Sequence, residues 1–156
     1  MREFLFRGQT RKYGEKVRMG DGEKLPGNWV YGGVLQGIGS HSVIYGGRNA
    51  DNFGEGFQKW CVYTDTLGQF TGKTDKNGKK VFEHDILQIF TVWADGTVEK
   101  AGVGVIQWWE HDQCYVLATK EGYHIDDFGN LGRPEYYEVI GNIHDNPELL
   151  EVSEDG

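Results

Sequence analysis

Cysteine is scarce in this chain, with only Cys61 and Cys114 among 156 residues. A secreted domain stapled by disulfides uses far more, so that class is excluded. Both thiols stand in apolar segments and are expected to be buried. Long apolar runs are missing as well. The opening Met1-Arg2-Glu3-Phe4-Leu5-Phe6-Arg7 sets charges around a three-residue apolar run, far short of a signal-peptide core. No stretch approaches the roughly 18 apolar residues of a membrane span. The expected setting is the cytoplasm, with no membrane partner.

What is present points to β structure. Eight Phe, eight Tyr and five Trp carry large apolar surfaces, and 24 Gly favour turns and bulges over long helices. A chain of this length buries about 68–70% of its unfolded surface and folds without staples. The net charge is −8, unevenly placed: residues 1–80 carry 13 Lys/Arg against 8 Asp/Glu, and residues 81–156 carry 3 against 16. The two halves attract one another, which suits packing of complementary surfaces, a homo-oligomer, or an acidic face offered to a basic partner; phosphates are repelled by that face.

Alternation of apolar and other residues predicts strands at 3–7, 29–35, 42–45, 59–65, 86–93, 97–109, 113–119 and 136–143. Phe4 and Phe6 share one face of the first, with Leu5 opposite. A loop is expected over 8–27 and a turn-rich segment over 66–80, while 48–58 is too polar to place. Trp93-Ala-Asp-Gly-Thr97 reads as a tight hairpin turn. Near the end Asn146 can cap a helical turn with Pro147 at its first position and Glu148 at its positive terminus. The fold class is mainly β, α+β at most. From residue 83 a corner, a long hairpin, a third strand and a final strand resemble a small, partly open, SH3-like barrel, to which the N-terminal strands are added. One domain is expected over 1–150, with N-terminal strands in 1–65, a barrel-like part in 80–145 and a frayed acidic tail at 151–156.

Chemistry-bearing motifs are few. Gly68-Gln-Phe-Thr-Gly72-Lys73-Thr74 has three residues between its glycines where a phosphate loop needs four, and a turn signal rather than a helix follows. Tried as a calcium loop, Asp75-Lys-Asn77-Gly78 would put Lys73 and His84 at the two outer ligand positions, where carboxylates are needed. His84, His111, His124 and His144 each stand beside or near aspartates, a composition that fits a metal-dependent hydrolase or nuclease if His111, His124, Asp126, Asp127 and His144 converge. No pair has the spacing that sets two ligands on one helix face. No catalytic residue, metal or cofactor is assigned. Arg2, Arg7, Arg11, Lys12 and Trp29 are the candidate binding residues, as a basic and aromatic face or as an amphipathic edge strand.

The run Val62 to Leu87 resembles the YopX family of phage and prophage proteins. It shares the elements Gly68-Gln69-Phe70-Thr71-Gly72, Asp75-Lys-Asn77-Gly78 and Glu83-x-Asp85-Ile. Arg2 to Gly8 with Trp29-Val-Tyr-Gly, and Tyr137 to Leu150, extend the likeness over most of the chain. The resemblance implies a phage- or prophage-encoded, mostly β protein of the bacterial cytoplasm with no assigned activity. His84 stands where the family usually has Gly. Asp75 to Gly78 is expected to be a turn between strands, and Glu83 to Asp85 a tight corner, so the motif residues read as structural. The leading expectation is a non-catalytic accessory protein that binds a host or phage macromolecule, protein rather than nucleic acid. A metal-dependent hydrolase and an acidic mimic of nucleic acid are the alternatives.

Overall fold

A computed structural model describes residues 4–12, 27–37, 39–51, 58–119, 124–125 and 136–150. Arg2, Asp126, Asp127, most of loops 8–27 and 48–58, and the tail at 151–156 lie outside them. The chain forms two compact units, Met1–Phe70 and Thr71–Gly156. Its elements are almost all strands: β1 Phe6–Arg11, β2 Asn28–Leu35, β3 His41–Gly47, β4 Gln58–Tyr63, β5 Gly68–Thr74, β6 Lys80–Phe82, β7 Asp85–Val92, β8 Val98–Trp109, β9 Cys114–Thr119, β10 His124–Ile125 and β11 Tyr137–Asn142. Short 3-10 turns occupy Thr64–Thr66 and Pro147–Leu150, the second where a helical turn is expected. The mainly β class is as expected. No described helix is long and apolar enough to cross a membrane.

In the first unit β4, β3, β2, β1 and the start of β5 lie side by side, all antiparallel. Val30, Ile44 and Val62 form its buried core, with Phe6, Val34, Trp60 and Leu67 packed against it. Each such aliphatic side chain removed from water contributes about 1.5–3 kcal/mol. The sheet rolls so that β1 meets β4. A Cβ on Gly8 would lie 2.9 Å from Val62 Cγ2, so only glycine lets the strands approach this closely. The Gln9 N–H donates to Thr66 Oγ1 at 2.8 Å. β1 begins later than expected: Leu5 is buried and its carbonyl accepts the Phe70 N–H, while Phe4 is exposed.

The second unit begins midway along β5, whose later half pairs with β6. Its main sheet has the order β10-β9-β8-β7-β11, antiparallel throughout. The sequence of corner, long hairpin, third strand and final strand is as read, and the sheet stays open, with β10 and β11 at its edges. Val81, Leu87, Ile106, Leu117 and Tyr137 form the core. The β7–β8 hairpin closes at Trp93–Thr97, with the Trp93 N–H donating to the Thr97 carbonyl at 2.8 Å. Gly96 takes a φ of 89°, which explains the Asp-Gly pair. Segment 66–80 is not simply turns, for β5 runs through it. Both thiols also depart from expectation: Cys61 is exposed and Cys114 half-buried, because Cys61 lies on the β4 face opposite buried Val62.

Candidate functional site

The motif residues build two turns of the second unit. In the first, Asp75 is 2% exposed and receives three backbone N–H donors. Oδ1 accepts from Asn77 and Lys79, and Oδ2 from Val139 on β11, each at 2.9 Å. The Lys76 N–H donates to the Tyr137 carbonyl at 3.1 Å, and Asn77 Nδ2 to Glu138 Oε1 at 3.2 Å. Asp75 thus closes its own turn and ties it to the last strand. Burial, and secondarily the Asp75 charge, push the Tyr137 phenol above its ordinary range.

Upstream, Gly68 and Gln69 pair with Arg7 and Phe6, Phe70 is buried, and the Thr71 hydroxyl donates to the Val81 carbonyl at 2.8 Å. Gly72 has a φ of 88°.

The second turn, Phe82–Asp85, redirects β6 into β7. Buried Asp85 accepts the Phe82 N–H on Oδ2 at 2.8 Å. His84 occupies its third position with φ 75°, where glycine is the usual residue. Its N–H donates to the Ile106 carbonyl at 2.8 Å, and its carbonyl accepts the Ile143 N–H at 3.1 Å.

β7 and β11 pair in a register that sets Asp85 opposite Asn142. The residues just before Asp85 and just after Asn142 therefore leave the ladder at the same end. His84 Nδ1 lies 3.3 Å from His144 Nε2, with the rings edge to face. Glu83 Oε2 is 3.9 Å from His84 Nε2. Asn142 accepts the His144 and Asp145 N–H groups on Oδ1 and donates through Nδ2 to Asp145 Oδ2. Asn146 turns its side-chain oxygen back to the Asn142 N–H, while its carbonyl accepts from Leu149 in the final 3-10 turn. Sequence spacing gives no sign of the His84–His144 pair, since 60 residues separate them and only strand register brings them together.

The candidate binding residues of the first unit are largely engaged. Arg7 is 6% exposed, and its guanidinium carbon lies 4.5 Å from the centre of the Trp29 ring. Lys12 is 2.8 Å from Asp65 Oδ2 and 4.8 Å above the Tyr63 ring. Arg11 is half-buried, and Arg2 lies outside the described residues. Of the other histidines, exposed His111 pairs with its neighbour Asp112 at 2.8 Å; of His124 the backbone alone is described. Among the described residues no three His, Cys, Asp or Glu side chains gather to hold a metal.

Antiparallel sheets, with turns whose buried carboxylates accept backbone N–H groups, define a mainly β protein. The family model described as YopX protein matches residues 27–151, and the chain belongs to that family. Among solved structures it is similar to protein EF1440 from Enterococcus faecalis, at 30% identity and a TM-score of 0.39. That alignment covers 62% of this chain and 58% of EF1440. A search of the curated proteins finds no match.

Proposed function

We propose that this chain is an accessory protein encoded by a phage or prophage, acting in the bacterial cytoplasm by binding a host or phage protein without chemistry of its own. The observation that carries the reading is the tip of the β7–β8 hairpin, where Val92, Trp93 and Val98 are exposed, Trp93 at 53%. An exposed indole beside two aliphatic side chains is the kind of anchor that dominates protein interfaces. The turn presenting it is closed by hydrogen bonds. Thr97 donates from its backbone N–H to Asp95 Oδ1, and hydrogen bonds from Thr97 hold the Asp95 carboxyl below its ordinary range. Trp93 Nε1 donates to Glu99 Oε2 at 3.2 Å, which orients the ring. The motif carboxylates Asp75 and Asp85 serve the backbone, which agrees with a motif that shapes the protein rather than one that turns over substrate.

The test is affinity capture from bacterial lysate with the tagged chain and a Trp93→Ala/Val98→Asp variant of matching thermal stability. The wild type is expected to retain one protein in near-stoichiometric amount and the variant to lose it. Equal retention by the variant, or retention of nucleic acid alone, overturns the reading.

A further inference from the structure

We infer that His84 and His144 form a two-imidazole chelate for Zn2+ at the corner where β6 turns into β7. Two nitrogens bound to one tetrahedral zinc at about 2.0–2.1 Å stand roughly 3.3 Å apart. The facing ring nitrogens of His84 and His144 are 3.3 Å apart already. The two nitrogens are in hydrogen-bond contact, so a bound zinc would replace the proton they share, each ring turning about its Cβ–ring bond, a broad torsion.

Three further observations belong to the same pair. His84 keeps a side chain at φ 75°, a conformation that disfavours every residue with a Cβ, and strain of this kind concentrates at functional positions. Both imidazoles hang from fixed backbone: His84 is bonded at its N–H by Ile106 and at its carbonyl by Ile143, and the His144 N–H is held by Asn142. The Glu83 carboxylate lies 3.9 Å from His84 Nε2, beyond hydrogen-bond distance but near enough for its charge to favour a cation at this corner. Both histidines are partly exposed, the His84 side chain at 25%. No third protein ligand joins them among the described residues, and water completes the coordination. Imidazole nitrogen selects zinc over the hard ions calcium and magnesium.

The test is a titration of the full chain with Zn2+ against a chromophoric chelator, with ring resonances followed by NMR in excess Mg2+. The expected result is one zinc per chain, shifts at His84 and His144, and at least tenfold weaker binding in both His144→Gln and His84→Gly. The glycine suits φ 75°, so the second variant folds. A Cys61→Ser/Cys114→Ser variant keeps the site. Zinc binding that survives both histidine substitutions, that is lost with the thiols, or that is absent from the wild type at micromolar metal overturns the inference.

Discussion

Asp75 shows how one side chain can hold together parts of the chain more than sixty residues apart. Its carboxylate accepts N–H groups from Asn77, Lys79 and Val139. Hydrogen bonds to a charged group contribute about 1.5–3 kcal/mol each, and deleting the acceptor strands buried donors. Asp75→Ala is expected to cost on the order of 3 kcal/mol or more, read as a lower urea midpoint. Asp75→Asn keeps one acceptor oxygen and costs less. The same substitution removes a negative charge that opposes ionisation of Tyr137, so the phenol is expected to titrate lower in Asp75→Asn, seen by NMR of labelled tyrosine. The sign for stability follows. A raised phenol pKa leaves the Tyr137 contribution intact below its ordinary value of about 10, and that contribution is lost as pH rises through the folded value. At His84 the backbone, not the ring, sets the expectation. In zinc-free buffer His84→Gly is expected to gain about 1 kcal/mol by relieving the left-handed conformation, whereas His84→Ala keeps the strain and gains nothing. Equal denaturation midpoints for the two variants would refute this account.

The strands β2, β3, β4, β7, β8, β9 and β11 were legible in the sequence to within a few residues: β2 and β3 alternate between buried and more open positions, whereas β7, β8 and β9 bury consecutive residues and show as short apolar runs. β5 was obscured by Gly68, Gly72 and Lys73, which read as turn residues; it is a strand because its backbone pairs with β1 and then β6, a tertiary effect that local propensity does not carry. The roll of the first sheet was equally hidden, since Gly8 looks like the start of a loop until Val62 is seen against it. Of the candidate site, the two turns could be read from Asp75-x-Asn-Gly and Glu83-x-Asp85, but the histidine pair could not, because it depends on the Asp85–Asn142 register. The Gly8 contact can be tested at the level of the element. Gly8→Ala is expected to destabilise by roughly 1–3 kcal/mol, as overpacking does. Gly33→Ala in β2, where an added Cβ meets nothing within 4 Å, is expected to stay within about 0.5 kcal/mol of the wild type. Equal losses from both would mean that glycine matters there for the strand alone and not for the approach of β1 to β4.

Over the whole molecule, charge and the exposed hairpin act on different ranges. Residues 81–156 hold 16 Asp/Glu against 3 Lys/Arg, and Trp93 lies within that acidic half. A field of this sign draws in a basic protein and repels phosphates, and it raises the rate of encounter more than it strengthens the final contact. The exposed Val92, Trp93 and Val98 side chains of the hairpin act only on contact. The two contributions separate under salt, since the screening length is about 10 Å at 0.1 M and about 3 Å at 1 M. The captured protein is therefore expected to be basic, and its association rate to fall severalfold between about 50 and 300 mM salt while its dissociation rate changes little; surface plasmon resonance measures both. Trp93→Ala is expected to act the other way, speeding dissociation with the salt dependence unchanged. If affinity is independent of salt, the acidic half has no part in recognition and its charge serves the molecule itself. If instead salt abolishes binding while Trp93→Ala leaves dissociation untouched, recognition is electrostatic throughout, as in a mimic of nucleic acid, and the hairpin loses its role as the anchor.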